Sequence, residues 1–153
     1  MKKLLGIVGF LSLLLGPGLV PAFAGDSLYG KVTAVKSASL IVLDYGDGQY
    51  DVRLIGIDAP AAGPLAEEAR ELVAGLVLGK NARIRFEERG AKEEMLSRLL
   101  ADDPVLGVKD VGLELVKAGL AQRQRDFDYK YGELSAAENE ARAAKRGLWA
   151  QAR

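Results

Sequence analysis

Residues 52–60, VRLIGIDAP, constrain the fold of this chain more than any other stretch. The stretch is apolar apart from Arg53 near its start and Asp58 near its end, and Pro60 stops it. Alternation places Val52 and Leu54 on one face and Arg53 on the other, which is the pattern of a half-buried strand. A strand that presents a guanidinium and a carboxylate predicts a functional site at those two groups.

The first 24 residues have the three parts of a secretory signal. Lys2 and Lys3 precede an apolar run of about a dozen residues, and a small-residue cleavage pattern ends at Ala24. We therefore predict a signal peptide over 1–24 and one exported domain over 25–153, periplasmic or secreted. The apolar run is shorter than the ~20 residues that span a bilayer, and the chain has no cysteine to carry a lipid. No permanent membrane anchor is expected.

The amino-acid composition limits the kinds of binding and catalysis that this chain can carry out. The chain has 21 basic and 21 acidic residues, a balance that argues against strong nonspecific adhesion to nucleic acid. It has no histidine, so acid–base chemistry near neutral pH would fall to carboxylates, lysine, tyrosine or a metal-bound water. Without cysteine, the stability of the exported domain must come from packing.

The order of predicted elements indicates a barrel. Hydrophobic alternation predicts a three-stranded meander within 29–57, turned at 46–48, and further strands at 83–87 and 95–101. Helical spacing predicts helices from Pro64 to about Gly79, over 108–118 and over 133–145, with a loop at 122–131 between the last two. Five strands with a helix after the third and two C-terminal helices are the order of an OB-type barrel, an α+β fold that is mainly β.

Several motifs together resemble the thermonuclease, or staphylococcal-nuclease-like, family. Residues 53–60 are similar to the family's strand from an arginine to Asp-Thr-Pro-Glu, and the similarity continues through GPLAEEA at 63–69, VKAGLA at 116–121 and KRGLW at 145–149. It covers nearly all of 25–153 in order. The resemblance implies an OB barrel that hydrolyses phosphodiesters of DNA and RNA with one Ca²⁺.

The resemblance also implies roles for particular residues. In that family two aspartates and a backbone carbonyl hold the ion, a glutamate positions the attacking water, and two arginines contact the phosphate. On this basis Arg53 is the first phosphate arginine, Asp58 is one metal aspartate, and the carbonyl of Ala59 stands at the third ligand position. Arg98 is the best match for the second arginine, although its flanking glycines are missing.

Other catalytic positions depart from the family pattern. Ala61 stands at the glutamate, Ala38 at the second metal aspartate and Lys36 at a companion acid, while Arg125 and Phe127 stand at two aromatics that flank the nucleotide. Calcium usually takes six to eight oxygen ligands, including more than one carboxylate. Loss of a general base costs about 10²–10⁴-fold in rate. The pattern favours a catalytically impaired binding module with a remnant phosphate pocket at Arg53 and Arg98 and no cofactor.

Two alternatives stay open. Asp51, Glu67 or Glu68 could rebuild the site, which would make the chain an active Ca²⁺-dependent nuclease. Arg53 could instead form a structural ion pair with Asp58 or Asp51. The partner is not identified by the sequence: a phosphate-bearing ligand or nucleic acid bound weakly, and a protein of the cell envelope, are both compatible with it.

Three further features have structural interpretations. Trp149 is expected to plug the core and hold the last helix. The acidic pair Asp126 and Asp128 is expected to be solvated. The basic residues of the C-terminal region, Arg123, Arg125, Arg142, Lys145 and Arg146, are typical of a helix C-terminus and its surface, with a phosphate-binding face as the alternative.

Overall fold

The computed structural model describes residues 27–89, 94–105 and 107–150. The predicted signal peptide, 1–24, lies outside the described residues. Within those ranges, none of the helices combines the length and the apolar character needed to cross a bilayer.

The described residues form eight strands and three α-helices in the following order. The strands are β1 (Ser27–Ser37), β2 (Leu40–Tyr45), β3 (Gly48–Leu54), β4 (Ile57–Asp58), β5 (Asn81–Arg89), β6 (Met95–Asp103), β7 (Gly107–Asp110) and β8 (Gln122–Arg123). The helices are α1 (Pro64–Val77), α2 (Val111–Lys117) and α3 (Glu133–Ala143), and a 3₁₀ turn follows at Gly147–Trp149.

Five of the strands close into a barrel. Antiparallel pairing gives the order β3-β2-β1-β5-β6, and β3 also pairs with β6 in parallel, which closes the ring. Two register shifts in β1, after Val32 and after Val35, bend that strand as a closed barrel requires. The prediction of a five-stranded OB-type α+β barrel is confirmed, with β7 added beside β6 at its outside.

The hydrophobic core lies inside the barrel and under the helices. Alternate residues of each strand point inward, and the helices add one apolar stripe each. Fully buried members include Val32, Ile41, Leu43, Val52, Ile84 and Leu99 from the strands and Val73, Leu115 and Leu134 from the helices. Because alternate residues of β3 and β6 are buried in this core, Arg53 and Arg98 lie on the opposite, outer face of the two strands.

The third strand ends earlier than its sequence pattern indicates. β3 stops at Leu54, Gly56 adopts a φ of 77°, and Ile57 and Asp58 pair with β8 in a separate two-stranded sheet. A Cβ on Gly56 would lie 2.3 Å from Cδ1 of Phe127, so the ring of Phe127 fits only against a glycine. The prediction of a continuous strand to residue 57 is therefore wrong, and the break re-aims Asp58.

Two further boundaries are corrected. The helix predicted over 108–118 begins at Val111, because residues 107–110 pair with β6 and the Asp110 side chain caps the helix by accepting from the Leu113 amide at 3.0 Å. The loop predicted over 122–131 contains β8, which pairs with β4. The first helix begins at Pro64 as predicted, and Gly79 follows its end with a φ of 74°.

Candidate functional site

Arg53 forms a two-pronged ion pair with Glu94 on the outer face of the barrel. Its Nε donates to Glu94 Oε2 at 2.6 Å and its Nη2 donates to Oε1 at 3.0 Å. The hydrogen bond from Glu94 raises the pKa of Arg53, partial burial opposes that rise, and the charges of Glu94 and Asp51 add to it. The partner is therefore neither of the two aspartates that the sequence suggested.

Asp51 is held by a different cation. Its carboxylate accepts from Lys36 Nζ at 2.6 and 2.8 Å. Asp51 and Arg53 alternate with the buried Val52, so they share the outer face of β3. Two ion pairs thus lie side by side, Lys36 with Asp51 and Arg53 with Glu94.

Arg98 belongs to a partly buried cluster with Asp110 and Tyr129. Its Nε donates to Asp110 Oδ2 at 2.8 Å, and its guanidinium lies 3.6 Å from the centre of the Tyr129 ring. The Tyr129 hydroxyl donates to Asp110 Oδ1 at 3.2 Å. Burial alone would lower the pKa of Arg98, but the hydrogen bond and charge of Asp110 outweigh it and raise the pKa. Burial and Asp110 together raise the pKa of Tyr129.

The two arginines leave the same face of the sheet. Arg53 is the cross-strand neighbour of Leu96, and Arg98 lies two residues further along β6. Their guanidinium groups nevertheless have separate carboxylate partners, Glu94 and Asp110. The structure brings the two predicted phosphate contacts to one face, where Arg98 is bound into the fold and Arg53 is 41% exposed.

Asp58 has a hydrogen-bond partner other than the two arginines. It is exposed at the end of β4, and its Oδ1 accepts from Gln124 Nε2 at 3.2 Å. Among the described residues no hydrogen bond or ion pair joins Asp58 to Arg53 or Arg98. Asp58 lines a pocket of about 390 Å³ together with Ala59, Pro60, Gln122, Leu148 and Trp149.

Ala38 and Ala61, which the family resemblance places at carboxylate positions, share a second, smaller pocket. It measures about 220 Å³, and its lining includes Ala38, Ala61, Lys36 and the ion pair of Glu67 with Arg70. Asp58 is not among its lining residues. The Glu67 side chain is held by Arg70, whose hydrogen bond lowers the pKa of Glu67.

These donors do not fit a calcium ion. Ca²⁺ needs six to eight oxygens, usually with several carboxylates converging on one point. In the ranges 27–89, 94–105 and 107–150, no three acidic side chains lie close enough together to hold a metal. The alanines at 38 and 61 offer methyl groups, and Asp51 and Glu67 are each paired with a cation. The residues proposed above as replacements, Asp51, Glu67 and Glu68, do not gather around Asp58 in this structure.

The positions of the nucleotide-flanking aromatics have structural roles or face solvent. Phe127 packs under Gly56 and meets Tyr129 edge to face, with ring centres 6.0 Å apart. Arg125 is exposed. Tyr129, which the sequence reasoning did not single out, is the aromatic that contacts the Arg98 guanidinium.

Two expectations for the C-terminal region are wrong. Trp149 lies outside the core and lines the pocket beside Asp58, although its ring does contact the last helix through the Arg142 guanidinium at 4.3 Å. Asp128 is not simply solvated, since it accepts from the amides of Leu134 and Ser135 and from the Ser135 hydroxyl at the start of α3. A carboxylate five residues ahead of the helix carries no simple spacing signal, so it was missed.

The basic residues near the C-terminus are held by the fold. Arg142 pairs with Glu138 at 3.4 Å and Arg146 with Glu140 at 3.0 Å. Arg123 Nη1 donates to three carbonyls of the following loop, those of residues 124, 125 and 127. These contacts agree with the structural interpretation of the basic residues.

Comparison with known families shows to which family this chain belongs. The family model described as "Staphylococcal nuclease homologue" matches residues 51–151, which run from the middle of β3 beyond the 3₁₀ turn. The chain belongs to the staphylococcal nuclease homologue family. The match includes Arg53, Asp58 and Arg98 and also the alanine at 61, so membership is shown independently of the catalytic set.

Several curated relatives of this nuclease-family chain have names that refer to nucleases. It is 31% identical over 127 residues to a probable endonuclease LCL3 of Phaeosphaeria nodorum, covering 75% of this chain and 42% of that protein. It is 33% identical over 106 residues to the probable staphylococcal-like nuclease CAN1 of rice, covering 69% and 30%. An uncharacterized endonuclease of Escherichia coli O157:H7 is 28% identical over 133 residues, covering 86% and 83%. The chain spans less than half the length of the Phaeosphaeria nodorum and rice proteins.

Proposed function

We propose that this chain is an exported, catalytically impaired member of the nuclease family that binds an anionic ligand at Arg53. The observation that carries the proposal is the pocket at Ala38 and Ala61. Two positions that the family resemblance assigns to carboxylates are methyl groups there, and the cations Lys36 and Arg70 line the same pocket. The one carboxylate in its lining, that of Glu67, is paired with Arg70, so the pocket gathers too few oxygens for calcium and offers no unpaired base to an attacking water.

The position of Asp58 supports the same proposal, because Asp58 is not among the residues that line that pocket. The one acidic residue that matches a metal ligand faces Gln124 and the larger pocket of Trp149. A single carboxylate with an amide partner is a weak calcium ligand set. We infer that the barrel was kept while the metal centre was lost.

Arg53 is the best candidate for binding a phosphate. Its guanidinium already holds two oxygens in the planar, forked arrangement that arginine uses for carboxylates and phosphates. Its side chain is 41% exposed, so a ligand can reach it. Arg98 is less accessible at 21% and is engaged by Asp110 and Tyr129. We therefore centre the remnant anion site on Arg53, with Arg98 as a supporting residue.

An active metal-dependent nuclease is the second candidate. The names of the relatives, probable endonucleases at about one-third identity, favour it. It requires carboxylates to converge on Asp58 when metal and substrate bind. The family fold is compatible with either function.

Two assays on the purified protein separate the candidates. Binding is measured by fluorescence anisotropy with labelled single- and double-stranded DNA and RNA, comparing the wild type with Arg53→Ala. Cleavage is measured on the same substrates with Ca²⁺, Mg²⁺ or chelator, comparing the wild type with Asp58→Ala. We expect weak binding that Arg53→Ala reduces, and no metal-dependent cleavage. Cleavage that needs metal and is lost in Asp58→Ala would establish the nuclease instead.

A further inference from the structure

Glu94 lies where an anion would bind Arg53. Its two carboxylate oxygens accept from Nε and Nη2 of Arg53 at 2.6 and 3.0 Å. Arginine grips a phosphate with the same pair of parallel hydrogen bonds. A ligand that approaches this edge of the guanidinium must therefore displace a carboxylate that is already in place.

The charged groups beside Arg53 on the outer face of β3 are paired with one another. Lys36 with Asp51 and Arg53 with Glu94 form two neighbouring ion pairs, each balanced in charge. The outer face of β3 therefore has no excess positive charge in these four groups. An anion can take the Nε–Nη2 edge of Arg53 only when Glu94 gives up those two hydrogen bonds.

The exposed fractions of the two side chains indicate that a ligand can approach Arg53 and that Glu94 is the more enclosed partner. The Arg53 side chain is 41% exposed, whereas that of Glu94 is 13% exposed. An ion pair with one partner open to water is partly screened, so exchange of its carboxylate for a ligand oxyanion is less costly than in a buried pair.

We propose that the Glu94 carboxylate competes with anionic ligands for the Arg53 guanidinium. Only an anion that binds Arg53 more strongly than this carboxylate does can displace it. The inference rests on the proposed function, because it takes Arg53 as the ligand-binding group. Phosphate matches the two-oxygen geometry of Glu94 and can carry more charge than a carboxylate. The site should therefore discriminate in favour of phosphate groups and against ligands that bear only a carboxylate.

The test measures binding of inorganic phosphate and of acetate by calorimetry at low ionic strength. The proteins are the wild type, Glu94→Gln, Asp51→Asn and Arg53→Ala. We expect Glu94→Gln to bind phosphate about tenfold more tightly than the wild type, since the ligand no longer replaces a charged hydrogen-bonded partner. Asp51→Asn is the matched control: it removes the same charge from the neighbouring pair, and its affinity should stay within about twofold of the wild type because screened surface charges couple weakly.

The outcomes separate this inference from the proposed function. Phosphate binding by the wild type that Glu94→Gln does not tighten, or that Asp51→Asn tightens equally, overturns only the role of Glu94. Binding that survives in Arg53→Ala, or the absence of binding in every protein, overturns the anion site and this inference together. If Glu94→Gln does not fold, Glu94→Asp replaces it: the shorter side chain loses the two-pronged contact, so tighter binding supports the inference and unchanged or weaker binding overturns it.

Discussion

Replacement of Arg98 by alanine tests whether this arginine is part of the fold or part of a phosphate site. The change removes the guanidinium from Asp110, whose side chain is only 6% exposed. It also removes the group stacked 3.6 Å from the Tyr129 ring. Asp110 would keep two hydrogen bonds, from the Leu113 amide and the Tyr129 hydroxyl.

The expected loss of stability follows from that geometry. Removing one partner of a buried ion pair costs about 3–5 kcal/mol, because the other charge stays buried without compensation. Arg98 is 21% exposed and Asp110 keeps two donors, so we expect about 2–4 kcal/mol, with the cation–π contact included. For a domain of this size that corresponds to a fall in Tm of roughly 10 °C.

The assay is urea unfolding followed by circular dichroism, with Arg85→Ala as the matched control. Arg85 is exposed and lies directly across from Arg98 on β5. Its removal changes the net charge equally without exposing a buried partner, so its free energy of unfolding should stay within about 0.5 kcal/mol of the wild type. In an Asp110→Asn background the cost of Arg98→Ala should shrink, because no unpaired charge remains.

One result would refute this reasoning. If Arg98→Ala unfolds at the same urea concentration as the wild type and binds phosphate or oligonucleotide more weakly, Arg98 acts as a ligand-binding arginine, as the family resemblance implied. The cluster with Asp110 and Tyr129 would then contribute little to folding.

Three further predictions concern the fold and the export signal. Gly56→Ala should destabilise the protein by about 2–4 kcal/mol, measured by urea unfolding, because alanine is strained at a φ of 77° and its Cβ would overlap Phe127; an unchanged midpoint would contradict the close packing. Asp128→Ala should cost about 1 kcal/mol at pH 7. Burial opposes ionisation of Asp128, but its hydrogen bonds, led by that from Ser135, outweigh burial and lower its pKa. The stabilisation that Asp128 provides is therefore present above the unfolded pKa of about 3.9 and is lost as pH falls through the folded value. A difference in stability between variant and wild type that persists at pH 2 would contradict this. N-terminal sequencing of protein exported by a host cell should begin at Gly25, and an intact Met1 would contradict the signal peptide.

Much of the fold was accessible from local sequence pattern. The strand alternation, Pro64 at the first helix and Gly79 after it are short-range signals, and each element appears near its predicted place. The two-residue strands β4 and β8 could not be found this way, because Ile57 and Arg123 are paired only by the closed tertiary fold. The start of α2 carried a local signal, an aspartate at the N-cap, that the helical spacing alone did not use.

The residues of the candidate site also divide into those that the sequence indicates and those that depend on the tertiary fold. The family resemblance places Ala38 and Ala61 at carboxylate positions, and the structure places both alanines in one pocket. The partner of Arg53 was not predictable, since Glu94 is 41 residues away and is brought close by the parallel pairing of β3 with β6. The orientation of Asp58 was also inaccessible, because it depends on the break at Gly56.

A calcium titration by calorimetry tests the central claim most directly, which is that this member of the nuclease family has lost its metal centre. The wild-type protein and Asp58→Ala are titrated with Ca²⁺ to millimolar concentration in the presence and absence of a short oligonucleotide. The account predicts no saturable heat in either protein, because Ala38 and Ala61 supply no side-chain oxygens and Asp58 lines a different pocket. Saturable Ca²⁺ binding by the wild type that disappears in Asp58→Ala would contradict it.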